Sequence, residues 1–168
     1  MSALPLAGIV VALALLVAPS IRQQRPLLIW NASPSVAVGL YRVDQAMHRI
    51  GDLVALRLHP PIAALAARRG YLPHSAYLLK PIVAIEGDRV CRLGAYISIR
   101  RRLVTFARPA DSMGRAMPSW HGCRTLKTGQ VFVLADHPAS FDSRYFGPLD
   151  ANSIVGCAVL FWHHRPAS

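Results

Sequence analysis

A chain of 168 residues is long enough to bury one core and too short for several domains of ordinary size. It is 53% hydrophobic, with a mean hydropathy of +0.32, which is high for a soluble domain. Nineteen Lys plus Arg against eight Asp plus Glu give a formal net charge of +11. That charge permits nucleic acid, anionic lipid or an acidic protein as a partner and does not choose among them.

In chain order, residues 3–21 (ALPLAGIVVALALLVAPSI) carry no charge. A helix of roughly 20 residues crosses a hydrocarbon core of about 30 Å. Pro5 suits the helix start and Pro19 its end. The stretch is therefore read as one N-terminal transmembrane helix. A cleaved secretory signal and a buried helix are the alternatives, although no basic segment precedes the run. Arg22 and Arg25 leave the orientation open, because a long following domain translocates largely regardless of charge.

Beyond the anchor, GLYRV, DLVALRL, AYLLKPIVAI, DRVCRL, AYISI, RLVTFA, GQVFVLA and SIVGCAVLFW read as strands. They are short, rich in Val, Ile, Leu and Tyr, and set apart by Gly, Asp or Pro. PPIAALAARRG reads as a helix, with Pro61 in its first turn, Arg68 and Arg69 at its negative end and Gly70 as its cap. Residues 107–121 read as a long loop. The organisation predicted is an anchor over residues 1–22 and one mainly-β domain with a small helical insertion over 23–168.

Two residues stand out chemically. Ser35, in NASPSVAVGLYRV, needs a base to become a nucleophile. No histidine sits in a hydrolase elbow pattern such as G-x-S-x-G. A lysine serves only when neutral, which requires apolar surroundings. Lys80 ends AYLLK and precedes PIVAI, so its neighbours along the chain are almost all apolar. In a strand, Leu78 and Ile82 would share its face. The bland alternative is an edge-strand lysine that stays in water.

Five segments, in order, resemble the S26 signal peptidases: the apolar N-terminus, SPSVAVGLYRV, GDLVAL, LLKPIVAIEGDRVC and SFDSRYFGP. GLYRV, RGYLP, GCRTL and FDSRYFGP are most similar to the conjugative-transfer (TraF-type) subgroup. The resemblance implies a signal-peptidase-like β domain and a membrane-anchored serine endopeptidase with a Ser/Lys dyad. Ser35 would be the nucleophile and Lys80 the general base, with Asp142 at an acidic position the subgroup needs. Ser33 would help hold the oxyanion, or else it simply forms the turn before Pro34. Ser143 and Arg144 complete the Asp142 box. Their implied role is structural, although Ser143 could instead orient the lysine amine. Gly87 and Asp88 match a supporting turn. The chain departs from the family at Ala37 and Glu86, where Pro is usual; Glu86 is expected to point into solvent.

The resemblance further implies an exported, pilin-like precursor as substrate, either simply cut or cut and cyclised by acyl transfer. It also implies contact with lipid through the N-terminal helix, and the bacterial inner membrane with the catalytic domain in the periplasm. The chemistry needs no cofactor or metal, and no metal-ligand spacing is visible; His163 and His164 read as a solvated tail. A general signal peptidase of broad specificity, and a non-catalytic envelope protein of a secretion assembly, are the rival readings.

Three cysteines leave one over. Outside the cytoplasm a bridge is permitted. Cys91 and Cys123, each beside Arg, are the pair chosen, while Cys157 reads as a small buried hydrophobe. Three free thiols are the alternative. The run IRRRL reads as a solvated hairpin turn, with contact to anionic lipid as the functional alternative. No aromatics interleave it, so nucleic acid is not expected.

Overall fold

The computed structural model describes residues 28–46, 48–73 and 75–163. The expected N-terminal span and His164 lie outside them. Among the described residues no helix is long and apolar enough to cross a membrane.

The mainly-β expectation holds. The strands are β1 (Leu28–Asn31), β2 (Gly39–Asp44), β3 (Leu53–Leu56), β4 (Leu78–Ala84), β5 (Arg89–Leu93), β6 (Tyr96–Ile99), β7 (Arg102–Phe106), β8 (Gly122–Thr125), β9 (Gln130–Val133), β10 (Leu149–Asp150) and β11 (Ile154–His163). Among the described residues, α-helices α1 (Pro60–Arg68) and α2 (Ser143–Phe146) and a 3-10 turn (Ala151–Ser153) interrupt them. A seven-stranded sheet runs β1-β2-β11-β3-β4-β9-β10, and a four-stranded sheet runs β7-β6-β5-β8. Sequence patterning missed β1, β8 and β10. The first and last are only four and two residues long, and β8 (GCRT) offers no apolar alternation to read.

Local chemistry explains the punctuation. Pro60 and Pro61 open α1, where a missing N–H costs nothing. Gly70 ends it at φ +71, with Gly70 N donating to Ala67 O and Tyr71 N to Ala66 O. That bond pair satisfies carbonyls the last helical turn leaves open. Between β6 and β7, Arg100 and Arg101 both take positive φ, 50° and 66°. Such a two-residue turn matches the strand twist but normally selects Gly or Asn. Asp88 holds Arg100 there, accepting from Nε at 2.5 Å and from a terminal guanidinium nitrogen at 2.7 Å. Gly156 is required by close approach: a Cβ there would lie 2.6 Å from Asp44 O and 2.7 Å from Val43 Cγ1.

The larger core cluster joins the two sheets and α1, through Val54, Ile82, Val90, Ile97, Phe132 and their neighbours. A smaller cluster, including Ile29, Tyr41, Ala55 and Leu79, packs β1, β2, β3, β4 and β11 together. A disulfide joins Cys91 to Cys123 across β5 and β8, where the two residues are register partners. Cys157 is a buried free thiol.

Candidate active site

Ser35 lies in the connection between β1 and β2, and Asn31 organises that connection. Asn31 is the last residue of β1 and is buried. Its Nδ2 donates to the carbonyls of Ser33 (2.8 Å), Val36 (3.2 Å) and Ala37 (3.0 Å), and its Oδ1 accepts from Ser33 N (3.1 Å). The buried Tyr41 hydroxyl donates to Ala37 O at 2.7 Å from β2. Backbone groups that would otherwise float in a loop are thereby fixed around Ser35. Asn31 and Tyr41 were not assigned a role from sequence. Asn31 sits in the same polar cluster as the two serines, which was the available signal.

Lys80 stands in the middle of β4, paired in register with Val54 of β3. It is only 3% exposed, and Leu78 and Ile82 on its face belong to the larger core cluster. Lys80 Nζ and Ser35 Oγ share a hydrogen bond of 2.5 Å. Burial pushes the lysine pKa down to about 8, with the Asp142 charge opposing and the Arg144 charge assisting that shift. The neutral amine is therefore accessible near physiological pH.

Ser33 Oγ lies 3.0 Å from Ser35 Oγ and accepts from Ser35 N at 3.3 Å. The two expected oxyanion donors thus engage each other here. A rotation of the Ser33 side chain would free the Ser35 N–H.

The FDSRYFGP box builds the floor. Asp142, Ser143 and Arg144 are fully buried. Arg144 Nε donates to Asp142 Oδ1 at 2.7 Å, and Asp142 Oδ2 also accepts from Ala135 N at 3.1 Å. Arg144 in turn donates to Ala135 O at 2.6 Å. Ser143 Oγ accepts from Val133 N of β9 at 3.1 Å. Trp120 Nε1 donates to Ser143 O, and the buried Arg92 to Arg144 O. Because β9 pairs with β4 and Leu134 N donates to Pro81 O, the box grips the strand that carries Lys80. Asp142 thus meets the Ser35–Lys80 pair through its charge and through β9, its own oxygens being taken up by Arg144 and backbone N–H groups. Asp88 stands apart: its carboxylate serves Arg100 and Ile85 N in the turn before β5. Glu86 is exposed and accepts from the Thr128 hydroxyl.

A cleft of about 330 Å³ opens beside Ser35 and Lys80. Its far wall is the loop after β7, pinned by Asp111, which accepts from Tyr71 Oη at 2.5 Å and Arg115 Nε at 2.7 Å. These bonds hold the Asp111 carboxyl far below the usual carboxylate range, the Tyr71 hydroxyl contributing most. Ser140 also lines the cleft, buried, with its Oγ lacking a hydrogen-bond partner. Sequence reading singled out neither residue. Among the described residues no three His, Cys, Asp or Glu gather as a metal site.

A family model for signal peptidase, peptidase S26, matches residues 1–163. The chain belongs to that family. A probable conjugal transfer protein TraF of Sinorhizobium fredii is 34% identical over 148 residues, covering 81% of this chain and 77% of that protein. A plasmid transfer protein TraF of Escherichia coli is 31% identical, covering 79% of this chain and 82% of its own length. A signal peptidase I of known structure from Enterococcus faecalis V583 is 20% identical, with a TM-score of 0.39, covering 68% of this chain and 98% of that one. The S26 peptidase assignment and the likeness to conjugal transfer proteins therefore agree with what the motifs implied.

Proposed function

We propose that this S26 peptidase is a membrane-anchored serine endopeptidase in which Ser35 and Lys80 form the catalytic dyad, and that it processes an exported precursor of a conjugation system, a pilin-like protein. The observation that carries the reading is the hydrogen bond between a buried lysine amine and the serine hydroxyl. A lysine sheltered in this way serves as a base at a pH where an exposed one is protonated.

In this mechanism an extended substrate lies in the cleft. Neutral Lys80 takes the Ser35 proton as Oγ bonds to the scissile carbonyl carbon. The resulting oxyanion is held by the Ser35 N–H and a rotated Ser33 hydroxyl. Protonated Lys80 then delivers its proton to the departing amine, and the C–N bond breaks, leaving an acyl-enzyme. Water, or the substrate's own α-amine, attacks the ester; Lys80 takes a proton from that nucleophile and returns it to Ser35. Attack by water gives a linear product, and attack by the amine closes a ring. Asp142 acts at a distance, holding β9 and β4 in register and opposing the fall of the lysine pKa.

The anchor is assigned to residues 3–21, with the domain outside the cytoplasm. Leu28 and Trp30 support that placement, because they are exposed on β1 shortly after the apolar segment, and exposed Trp162 of β11 stacks on Trp30 beside exposed Phe161. Aromatic side chains of this kind favour the lipid–water interface.

Co-expression with a pilin-like precursor tests the reading. Ser35→Ala and Lys80→Ala should each lower processing by at least about a thousandfold. Processing should rise with pH through about 8, as the Lys80 amine becomes neutral. Persistence of cleavage in both variants would remove the enzyme reading in favour of a binding role. A product mass lower by one further water would identify ring closure, and efficient cleavage of unrelated exported precursors would identify a general signal peptidase.

A further inference from the structure

The four-stranded sheet carries no residue of the dyad, yet it has a surface that a mere support does not need. It ends on β7, and among the described residues no strand pairs with its outer edge. Arg102, Leu103, Val104 and Phe106 on this strand are all exposed. In a sheet with one face covered, exposed and buried residues would alternate. A bulge in the β6–β7 ladder leaves Val104 without a partner in β6. Val104 lines a groove of about 570 Å³ between β7 and the larger sheet. Buried Ile99 and Leu134 form its floor with half-buried Val83, and exposed Arg102 and Asp136 form its rim. Arg100 is held by Asp88, whereas no carboxylate among the described residues pairs with Arg101 or Arg102.

We propose that this groove docks an extended acidic segment of another protein. The segment lies along the open edge of β7, its apolar side chains on Val83, Val104 and Leu134 and its carboxylates on Arg101 and Arg102. Alternating apolar and anionic residues fit this surface because a strand presents successive side chains to opposite sides. A second copy of the chain would bring the same arginines and a charge of +11, so like charges would meet. A lipid surface is flat and would not reach a floor buried at Ile99 and Leu134. The single carboxylate on the rim, Asp136, leaves the balance positive.

Fluorescence anisotropy on the full chain in detergent, with a labelled short peptide of alternating Val and Glu, tests the proposal. The acidic peptide should bind, its alternating Val–Lys counterpart should not, and added salt should weaken binding. Arg101→Glu with Arg102→Glu, and separately Val104→Glu, should each weaken binding more than about tenfold, the first by setting like charges against each other and the second by placing a charge in the apolar seat. Precursor processing and the thermal midpoint should stay unchanged. The milder pair Arg101→Gln with Arg102→Gln should weaken binding less, and amide exchange over residues 102–106 should slow in the complex. Equal binding of both peptides, or wild-type affinity in the charge-reversed and Val104 variants, overturns the proposal. So does tight binding to phosphatidylglycerol vesicles that needs the arginines, ignores Val104→Glu and excludes the peptide, which would assign the patch to lipid.

Discussion

The floor of the candidate site and the β6–β7 end of the smaller sheet treat charge in opposite ways. Beneath the larger sheet, Lys80, Asp142 and Arg144 are buried together, and their geometry is held by backbone groups of Ala135 and Val133. On the smaller sheet, Arg100 and Asp88 meet at the surface and Arg101 and Arg102 face solvent. A buried charge must be matched by fixed partners, so its neighbours become interdependent. An exposed charge exchanges one partner for water at little cost, so its surroundings can change independently. The first arrangement suits chemistry that needs a perturbed amine. The second suits recognition; a disulfide ties that sheet together, and its buried Arg92 reaches away from this surface to Arg144 O beneath the larger sheet.

Mutations can break or sharpen that contrast. The largest loss of stability should come from Asp142→Ala, which strands a fully buried guanidinium. About 3–5 kcal/mol should be lost in denaturant unfolding. An unchanged midpoint would mean that the box is not the fixed unit described.

Next comes the smaller sheet's own staple. Replacing Cys91 and Cys123 by Ser opens a loop with a sequence separation of 32. The chain-entropy account puts the cost at about 3–4 kcal/mol, read as a lower unfolding midpoint that matches that of reduced wild-type protein.

Lys80→Met should move in the other direction. The lysine pKa is lower in the folded chain, about 8, than its ordinary value of 10.5. The folded state therefore binds fewer protons than the unfolded state over that window, and native stability rises with pH across it. Keeping the amine buried costs most below about pH 8 and nothing once both states are neutral. At 1.36 kcal/mol per unit of pKa, the methionine variant should gain on the order of 3 kcal/mol at neutral pH. That gain should fade as pH climbs from about 8 to 10.5. A gain independent of pH would show that the lysine is not the strained group.

The smallest effect should come from Asp88→Ala. Its partner Arg100 is exposed, so losing that pair and the bond to Ile85 N should cost only about 1 kcal/mol in denaturant unfolding, well short of the chemically similar change at Asp142.

Strand patterning announced β2 to β7, β9 and β11, and proline and glycine bracketed α1, because these signals act between near neighbours. The Ser35 and Lys80 candidates were also legible: a lone lysine among apolar residues and a polar cluster before a strand are local anomalies. Less was legible where the informative contact crosses the fold. Nothing local to Ser140 reveals that its hydroxyl is buried beside the cleft, and nothing in Asp111 announces the Tyr71 hydroxyl that grips it from 40 positions away. The carboxylate of Asp142 resembles that of Asp88 as a letter, yet one is buried against arginine and the other lies at a surface turn.

By itself, then, the sequence determined the mainly-β class, the peptidase motifs and the candidate pair of reactive groups, since hydrophobic period and residue chemistry are written along the chain. Only the tertiary structure decided that β4 carries Lys80 inward to meet Ser35, and that the box beneath it acts through β9. It also decided that, among the described residues, no strand covers the outer edge of β7 beside its groove. Distance, burial and strand order arise from packing segments far apart in sequence, and no single segment contains them.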